Sequence, residues 1–173
     1  ISGPTITQGS GNFNVTSGTT TISSVLAYNL AGPTNGSLQK SGAGLLILSG
    51  NNTSSANVTI SAGTLEIGAA GRLMAGNYNG TISNSAAFIY SGTNAQTLSG
   101  VISGTGAITQ NGTGMLTLSN AANTYNGSTT INAGTLAVSG NISSSALTIN
   151  SGGVVSAGST AAVAKFNAAS LTV

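Results

Sequence analysis

The chain has 173 residues, of which only 2% are charged: the cations are Lys40, Arg72 and Lys165, the one anion is Glu66, and His and Cys are absent. Three scattered cations exclude the basic patch that nucleic-acid binding requires, and one carboxylate side chain excludes a two-carboxylate hydrolase. Without His, Cys or Asp, the chain has no Ser-His-Asp or Cys-His arrangement and no cluster of metal ligands. We therefore expect no catalytic, cofactor-binding or metal-binding residues, no cofactor and no enzyme activity.

The composition nevertheless predicts a folded chain. Disordered chains combine low hydrophobicity with high net charge, whereas this chain is 39% hydrophobic with a net charge of +2. Its surface has to be built from uncharged polar groups, because Ser, Thr, Asn and Gly supply 95 of the 173 residues. No apolar run reaches the roughly 18 residues of a membrane span, so none is predicted. The chain begins with Ile1 and not Met, and we expect a mature product or an excised segment.

Short strands follow one another along the chain, and no segment has a convincing helical period. Apolar residues mostly alternate with polar or small ones, which is the period of a half-buried strand. The clearest examples are residues 46–48, 58–60, 65–67, 116–118, 136–138 and 147–149. Glycine and asparagine between these segments tolerate the backbone of tight corners. The sequence therefore predicts one continuous all-β domain over residues 1–173.

An internal repeat relates residues 36–67 to residues 106–138. Leu46 matches Leu116 at an offset of 70, and Ile60 matches Ile131 at an offset of 71. One residue has been gained between the strands, as expected of a fold built coil by coil. We interpret the repeat as a parallel β-solenoid in which the offset holds three or four whole coils of roughly 17–23 residues. The chain would then make roughly seven to ten coils, a rod on the order of 35–50 Å long.

An antiparallel sandwich is the alternative. Asn-Gly pairs, which favour tight hairpins, occur at Asn35, Asn79, Asn111 and Asn126. A sandwich gives no reason for a repeat of 70 residues in a chain of this length, whereas a solenoid does, because equivalent residues stack on successive coils.

The same residues resemble a known family. Residues 98–120, LSGVISGTGAITQNGTGMLTLSN, continue at residues 123–138 as NTYNGSTTINAGTLAV, and together they are similar to the passenger-associated repeat of bacterial autotransporters. The first copy matches less well and lacks a counterpart of Tyr125. The resemblance implies a right-handed parallel β-helix that is secreted or displayed on the bacterial surface. It implies no catalytic residue, because the repeat itself is structural.

Two groups of side chains invite a functional interpretation. Glu66 alternates with apolar neighbours, so we expect it to face solvent, with a weak ion pair to Lys40 or Arg72 as an option. The tyrosines, Tyr28, Tyr78, Tyr90 and Tyr125, could stack on sugars. They share no common period, so we expect them to fill gaps or cap corners.

Three functions are compatible with these features. The first is an extracellular structural rod that stacks head to tail, because the strand-like termini, Ile1 to Ile6 and Leu171 to Val173, lack polar caps and charges. The second is a stalk or adhesin segment of an autotransporter-like passenger. The third is a ligand-binding or ice-binding solenoid, suggested by the threonines of residues 5–7 and 19–21. Expected partners are a second copy of the chain and cell-surface or matrix polysaccharide.

Overall fold

The chain folds as an all-β parallel solenoid. The computed structural model describes residues 5–8, 11–28, 37–157 and 168–172. Lys165, Val173, the residues before Thr5 and the side chain of Tyr28 lie outside this description. The described residues form twenty strands and one 3-10 turn, Met74–Gly76. The strands are β1 (Thr5–Gln8), β2 (Gly11–Asn14), β3 (Thr19–Ile22), β4 (Val25–Tyr28), β5 (Ser37–Ser41), β6 (Leu45–Leu48), β7 (Asn57–Ile60), β8 (Thr64–Ala69), β9 (Asn77–Tyr78), β10 (Ile82–Asn84), β11 (Ala87–Gly92), β12 (Gln96–Leu98), β13 (Ile102–Ser103), β14 (Ala107–Gln110), β15 (Met115–Leu118), β16 (Thr129–Ile131), β17 (Gly134–Val138), β18 (Ile142–Ile149), β19 (Gly153–Ala157) and β20 (Ala168–Thr172).

The strands form three faces that the chain visits in turn. The first face contains β2, β5, β7, β10 and β13, and the second contains β3, β6, β8, β11, β14, β16, β18 and β20. The third contains the pair β1–β4 and, further along, β9, β12, β15, β17 and β19. Every strand pair in the described residues is parallel. This excludes the antiparallel sandwich there, and the Asn-Gly pairs at Asn79, Asn111 and Asn126 do not form hairpins, while the pair at Asn35 lies outside the described residues.

The number of coils follows from the second face, which has one strand per coil. Six of its eight strands, β6 to β18, lie in the uninterrupted segment 37–157. The predicted seven to ten coils thus compare with about six in this segment and eight when β3 and β20 are included. The predicted strand segments all lie within strands of the structure.

Apolar side chains stack in columns inside the rod. On the second face Leu46, Leu65, Phe88 and Ile108 occupy successive coils in register. All four are buried and belong to one core cluster. Burying such a side chain stabilises the fold by about 1.5–3 kcal/mol, and a coil can bury both sides of its column only when another coil lies above and below. The stacking of equivalent side chains is therefore what holds the rod together.

The repeat does not occupy a whole number of coils, so that expectation was wrong. Leu46 reaches Ile108 after three coils on the second face, but its repeat partner Leu116 lies one strand further, on the third face. The first repeat thus spans β5 to β8 on the first and second faces, and the second spans β14 to β17 on the second and third. The offset is therefore three coils plus one face. Such an offset is possible because every face requires the same features of a strand, namely apolar residues that point inward and a tight corner at its end.

Glycine closes equivalent corners in both repeats. Gly63 and Gly134 have φ angles of 68° and 63°, in the left-handed region that favours glycine. A Cβ on Gly63 would meet the carbonyl oxygens of Gly42 and Gly44 on the preceding coil, and one on Gly134 would meet that of Gly112. The corners are therefore packed backbone against backbone, which only glycine permits.

Candidate functional site

Lys40 lies inside the rod. Its side chain is fully buried at the end of β5, where its Nζ donates to the carbonyl oxygens of Ser41 at 2.8 Å, Gly42 at 2.7 Å and Ala62 at 3.1 Å. Burial lowers the pKa of Lys40 below its ordinary value. The ammonium group is a structural donor that ties one corner to the next coil.

Gln110 occupies the position equivalent to Lys40 in the second repeat and closes its own corner without reaching the next coil. It is also fully buried, and its Nε2 donates to the carbonyl oxygens of Gly112 at 2.8 Å and Gly114 at 2.7 Å. Its Oε1 has no hydrogen-bond partner among the described residues. Lysine satisfies more carbonyls but buries a charge, whereas glutamine buries no charge but leaves an acceptor unpaired.

Glu66 lies on the outer side of the second face, between Ile47 and Ile89 on the neighbouring coils. We expected the side chain of Glu66 to face solvent. It is half-buried, because both neighbours in its column are large. The optional ion pair with Lys40 does not form, since the Lys40 side chain points inward. The described residues contain no ion pair between Glu66 and Arg72, and Glu66 is placed as a surface residue of the sheet.

The three tyrosines whose side chains are described are buried, which excludes sugar stacking by them in the folded state. Tyr78 donates to the carbonyl oxygen of Ala56 at 2.5 Å, and Tyr90 donates to that of Asn94. Burial raises the pKa of Tyr90, and Arg72 opposes this. The predicted role in filling gaps and corners is confirmed for them.

Tyr125 anchors a chain of buried hydroxyl groups. Its oxygen lies 2.8 Å from Oγ1 of Thr129, which lies 2.7 Å from Oγ of Ser145. Burial raises the pKa of Tyr125. In the first repeat the positions of Tyr125 and Thr129 hold Ser54 and Val58, and these two line a cavity of about 10 Å³, which is room for about one water molecule. The missing aromatic side chain thus leaves a gap in the first repeat.

Threonines form a column that sequence analysis missed. Thr109, Thr130, Thr148 and Thr172 follow one another in register on the outer side of the second face. The threonines of β3 are separated from them by Ile47, Glu66 and Ile89, and the side chains of residues 5–7 lie outside the description. The column was missed because coil lengths vary, so its members are unevenly spaced in the sequence. Aligning the ends of the strands would have found it.

A corner on the third face departs from the regular coil. Between β4 and β9 the described residues of this face form only an isolated bridge, Asn51 to Arg72. On either side of Arg72, Ala69, Met74 and Ala75 have φ angles of 52°, 47° and 50°, and they are the non-glycine residues with positive φ in the described part of the chain. Sequence analysis gave no sign of this strain. The segment 69–76 is named the strained corner below.

No helix in the described residues has the length and apolar character that crossing a membrane would need. The described residues also contain no group of three or more His, Cys, Asp or Glu side chains that could hold a metal ion.

Comparison with known proteins agrees with this architecture. The family model of the passenger-associated-transport-repeat matches residues 38–67 and 108–138. The chain is also 39% identical, over 150 residues, to the BmaC autotransporter adhesin of Brucella suis biovar 1 (strain 1330). The match covers 78% of this chain but only 4% of that adhesin's length. No solved structure matches the chain. The chain therefore contains two copies of the passenger-associated-transport-repeat, wound through successive parallel coils.

Proposed function

We propose that the chain is a non-catalytic segment of an autotransporter-type adhesin, secreted or displayed at the cell surface. One observation carries the proposal: the two repeats keep most of their inward apolar residues and change most of their outward ones. Inward Leu38 corresponds to Ile108, while outward Gln39 corresponds to Thr109. A structural frame thus stays constant while the exposed positions differ, which suits a rod that carries recognition on its surface.

The relative supports the same interpretation. It is described as an adhesin, and this chain would form one short part of such a rod. The outward positions are mostly uncharged polar groups, so the surface should bind its target through hydrogen bonds and local contacts and not through a broad electrostatic field.

Adhesion by the purified chain tests this proposal. Beads coated with the chain should adhere to host cells more than beads coated with albumin, and soluble chain should compete with them. A chain denatured before coating is the control for nonspecific adhesion. Equal adhesion of native and denatured chain would contradict the proposal.

Head-to-tail stacking is a second candidate function. Strands β2 and β3 lie at the edges of their sheets and each has one hydrogen-bonded neighbour among the described residues. Sheet edges with few charges favour pairing with another strand, either from further coils or from a second copy. Sedimentation velocity over a hundredfold concentration range should then show growing oligomers, and a constant monomer would exclude stacking.

A further inference from the structure

The strained corner holds three residues in a left-handed backbone conformation that no other non-glycine residue of the described chain adopts. Each left-handed non-glycine residue costs about 1–2 kcal/mol, so the surrounding contacts have to maintain them. The amide of Thr93 donates to the carbonyl of Ala69 at 3.0 Å, and the amide of Ala75 donates to that of Asn52 at 3.0 Å. Neighbouring coils on both sides therefore hold the corner in place, and strain maintained in this way is typical of functional sites.

The extra length of one coil lies at this corner. Val58 aligns with Ile82, 24 residues on, whereas Ile82 aligns with Ile102, 20 residues on. The longer coil contains both the 3-10 turn and the three strained residues. The corner is thus an addition to the regular coil and not a requirement of the solenoid.

Arg72 emerges at the centre of this corner. It is half-buried, whereas Lys40, the other cation of the described residues, is fully buried. The Arg72 side chain runs over Gly76, where a Cβ would lie 3.6 Å from its Cδ and 4.0 Å from an Nη atom. No carboxylate of the described residues pairs with it. The corner therefore presents a guanidinium group whose stem is supported and whose charge is not neutralised.

The surroundings favour a sugar ligand over a protein. The exposed side chain of Asn51, whose backbone forms the isolated bridge with Arg72, carries an amide, and amides suit hydroxyl groups. Interfaces between proteins usually depend on large aromatic or apolar side chains from both partners. The exposed large hydrophobic side chains of the described residues are Met115 and Val154, and neither belongs to the strained corner. A guanidinium group binds carboxylate or sulfate through two parallel hydrogen bonds.

We propose that the strained corner is a binding site for an acidic glycan, with Arg72 pairing the carboxylate or sulfate of the sugar. The inference rests on the proposed adhesive function and names the ligand class of one surface. It requires the anionic group, so a neutral polysaccharide of the same length should bind weakly or not at all.

Binding of defined oligosaccharides to the intact chain tests this site. Three immobilised probes are compared by biolayer interferometry: a uronic-acid oligosaccharide, a sulfated oligosaccharide and a neutral glucan. The first two distinguish the source of the anionic group. Arg72→Gln should weaken binding about tenfold or more, because a charge-assisted pair is among the strongest polar contacts, and Arg72→Lys should retain part of it.

The matched control moves the charge to another face. Ser83 is exposed on β10 of the first face, so the double variant R72Q/S83R restores the net charge without restoring the site. It should bind as weakly as R72Q, while circular dichroism shows that both variants remain folded. Equal binding by R72Q and the unmodified chain, rescue by S83R, or equal binding of the neutral glucan would each overturn the proposal. If coated beads still adhere to cells when the glycan result is negative, the adhesive function stands and only its assignment to this corner fails.

Discussion

Replacing Lys40 tests whether a buried donor closes the corner after β5. Lys40→Met keeps the length and apolar stem of the side chain but removes the ammonium group. The carbonyl of Ser41 keeps a second donor, the amide of Val15 at 3.0 Å, whereas those of Gly42 and Ala62 lose the donor that Lys40 provides. An unpaired buried carbonyl costs about 1–3 kcal/mol. The corners at Gly42 and Ala62 are only half-buried, so the lower end of this range applies to each of the two carbonyls. We expect the free energy of unfolding to fall by about 2 kcal/mol in total.

Lys40→Gln is the matched variant, because Gln110 already fills the equivalent position. Its amide can donate to two carbonyls, and it removes the need to bury a charge, so we expect a stability within about 1 kcal/mol of the unmodified chain. Unfolding in urea followed by far-ultraviolet circular dichroism gives the midpoint and slope for each variant. Hydrogen exchange of the Ser61 amide, which donates to the carbonyl of Lys40 at 2.9 Å, reports on the corner itself. Equal stability of the Met and Gln variants would refute the role of the donor.

Three further predictions concern pH, glycine corners and buried hydroxyls. Because the pKa of Lys40 is lowered in the folded chain, the unfolded chain binds more protons below pH 10.5, and the free energy of unfolding should rise toward that pH. The raised pKa values of Tyr90 and Tyr125 act in the opposite sense above pH 10, so urea unfolding should show a rise from pH 8 to about pH 10 that Lys40→Gln abolishes. Gly134→Ala should destabilise by about 2–3 kcal/mol more than Gly18→Ala, because both have positive φ but only Gly18 has open space around a Cβ; equal thermal shifts would contradict this. Thr129→Val should lose about 1–2 kcal/mol by leaving the Tyr125 hydroxyl with one partner fewer, and additive effects of Thr129→Val and Tyr125→Phe in a double-mutant cycle would show that the two hydroxyls do not interact.

Some apparent surprises were encoded in the sequence. Lys40 follows Leu38 by two residues, so the strand period alone places it inside. Its alignment with Gln110 in the second repeat indicates the same inward position. The positive charge of Lys40 favoured a position at the surface, since lysine is almost never fully buried without a partner. Its backbone partners are the carbonyls of Ser41 and Gly42 in its own corner and that of Ala62 on the next coil, and a single strand does not reveal them.

The strained corner could not be predicted. Ala69, Met74 and Ala75 are ordinary helix or strand residues, and their left-handed backbone is maintained by hydrogen bonds to residues about twenty positions away. The position of Arg72 depends on this corner. Its function as a candidate site therefore became visible only when the neighbouring coils were in place.

The sequence by itself determined the strands, their inward columns, the glycine corners and the parallel solenoid, because the two-residue period and left-handed corners are local properties of the chain. Only the tertiary structure decided on which face each strand lies. A face is set by the accumulated lengths of all corners before it and by hydrogen bonds between coils, and a corner that is one strand longer or shorter moves every later residue to the neighbouring face. For this reason two repeats with nearly the same inward residues present different sides of the rod.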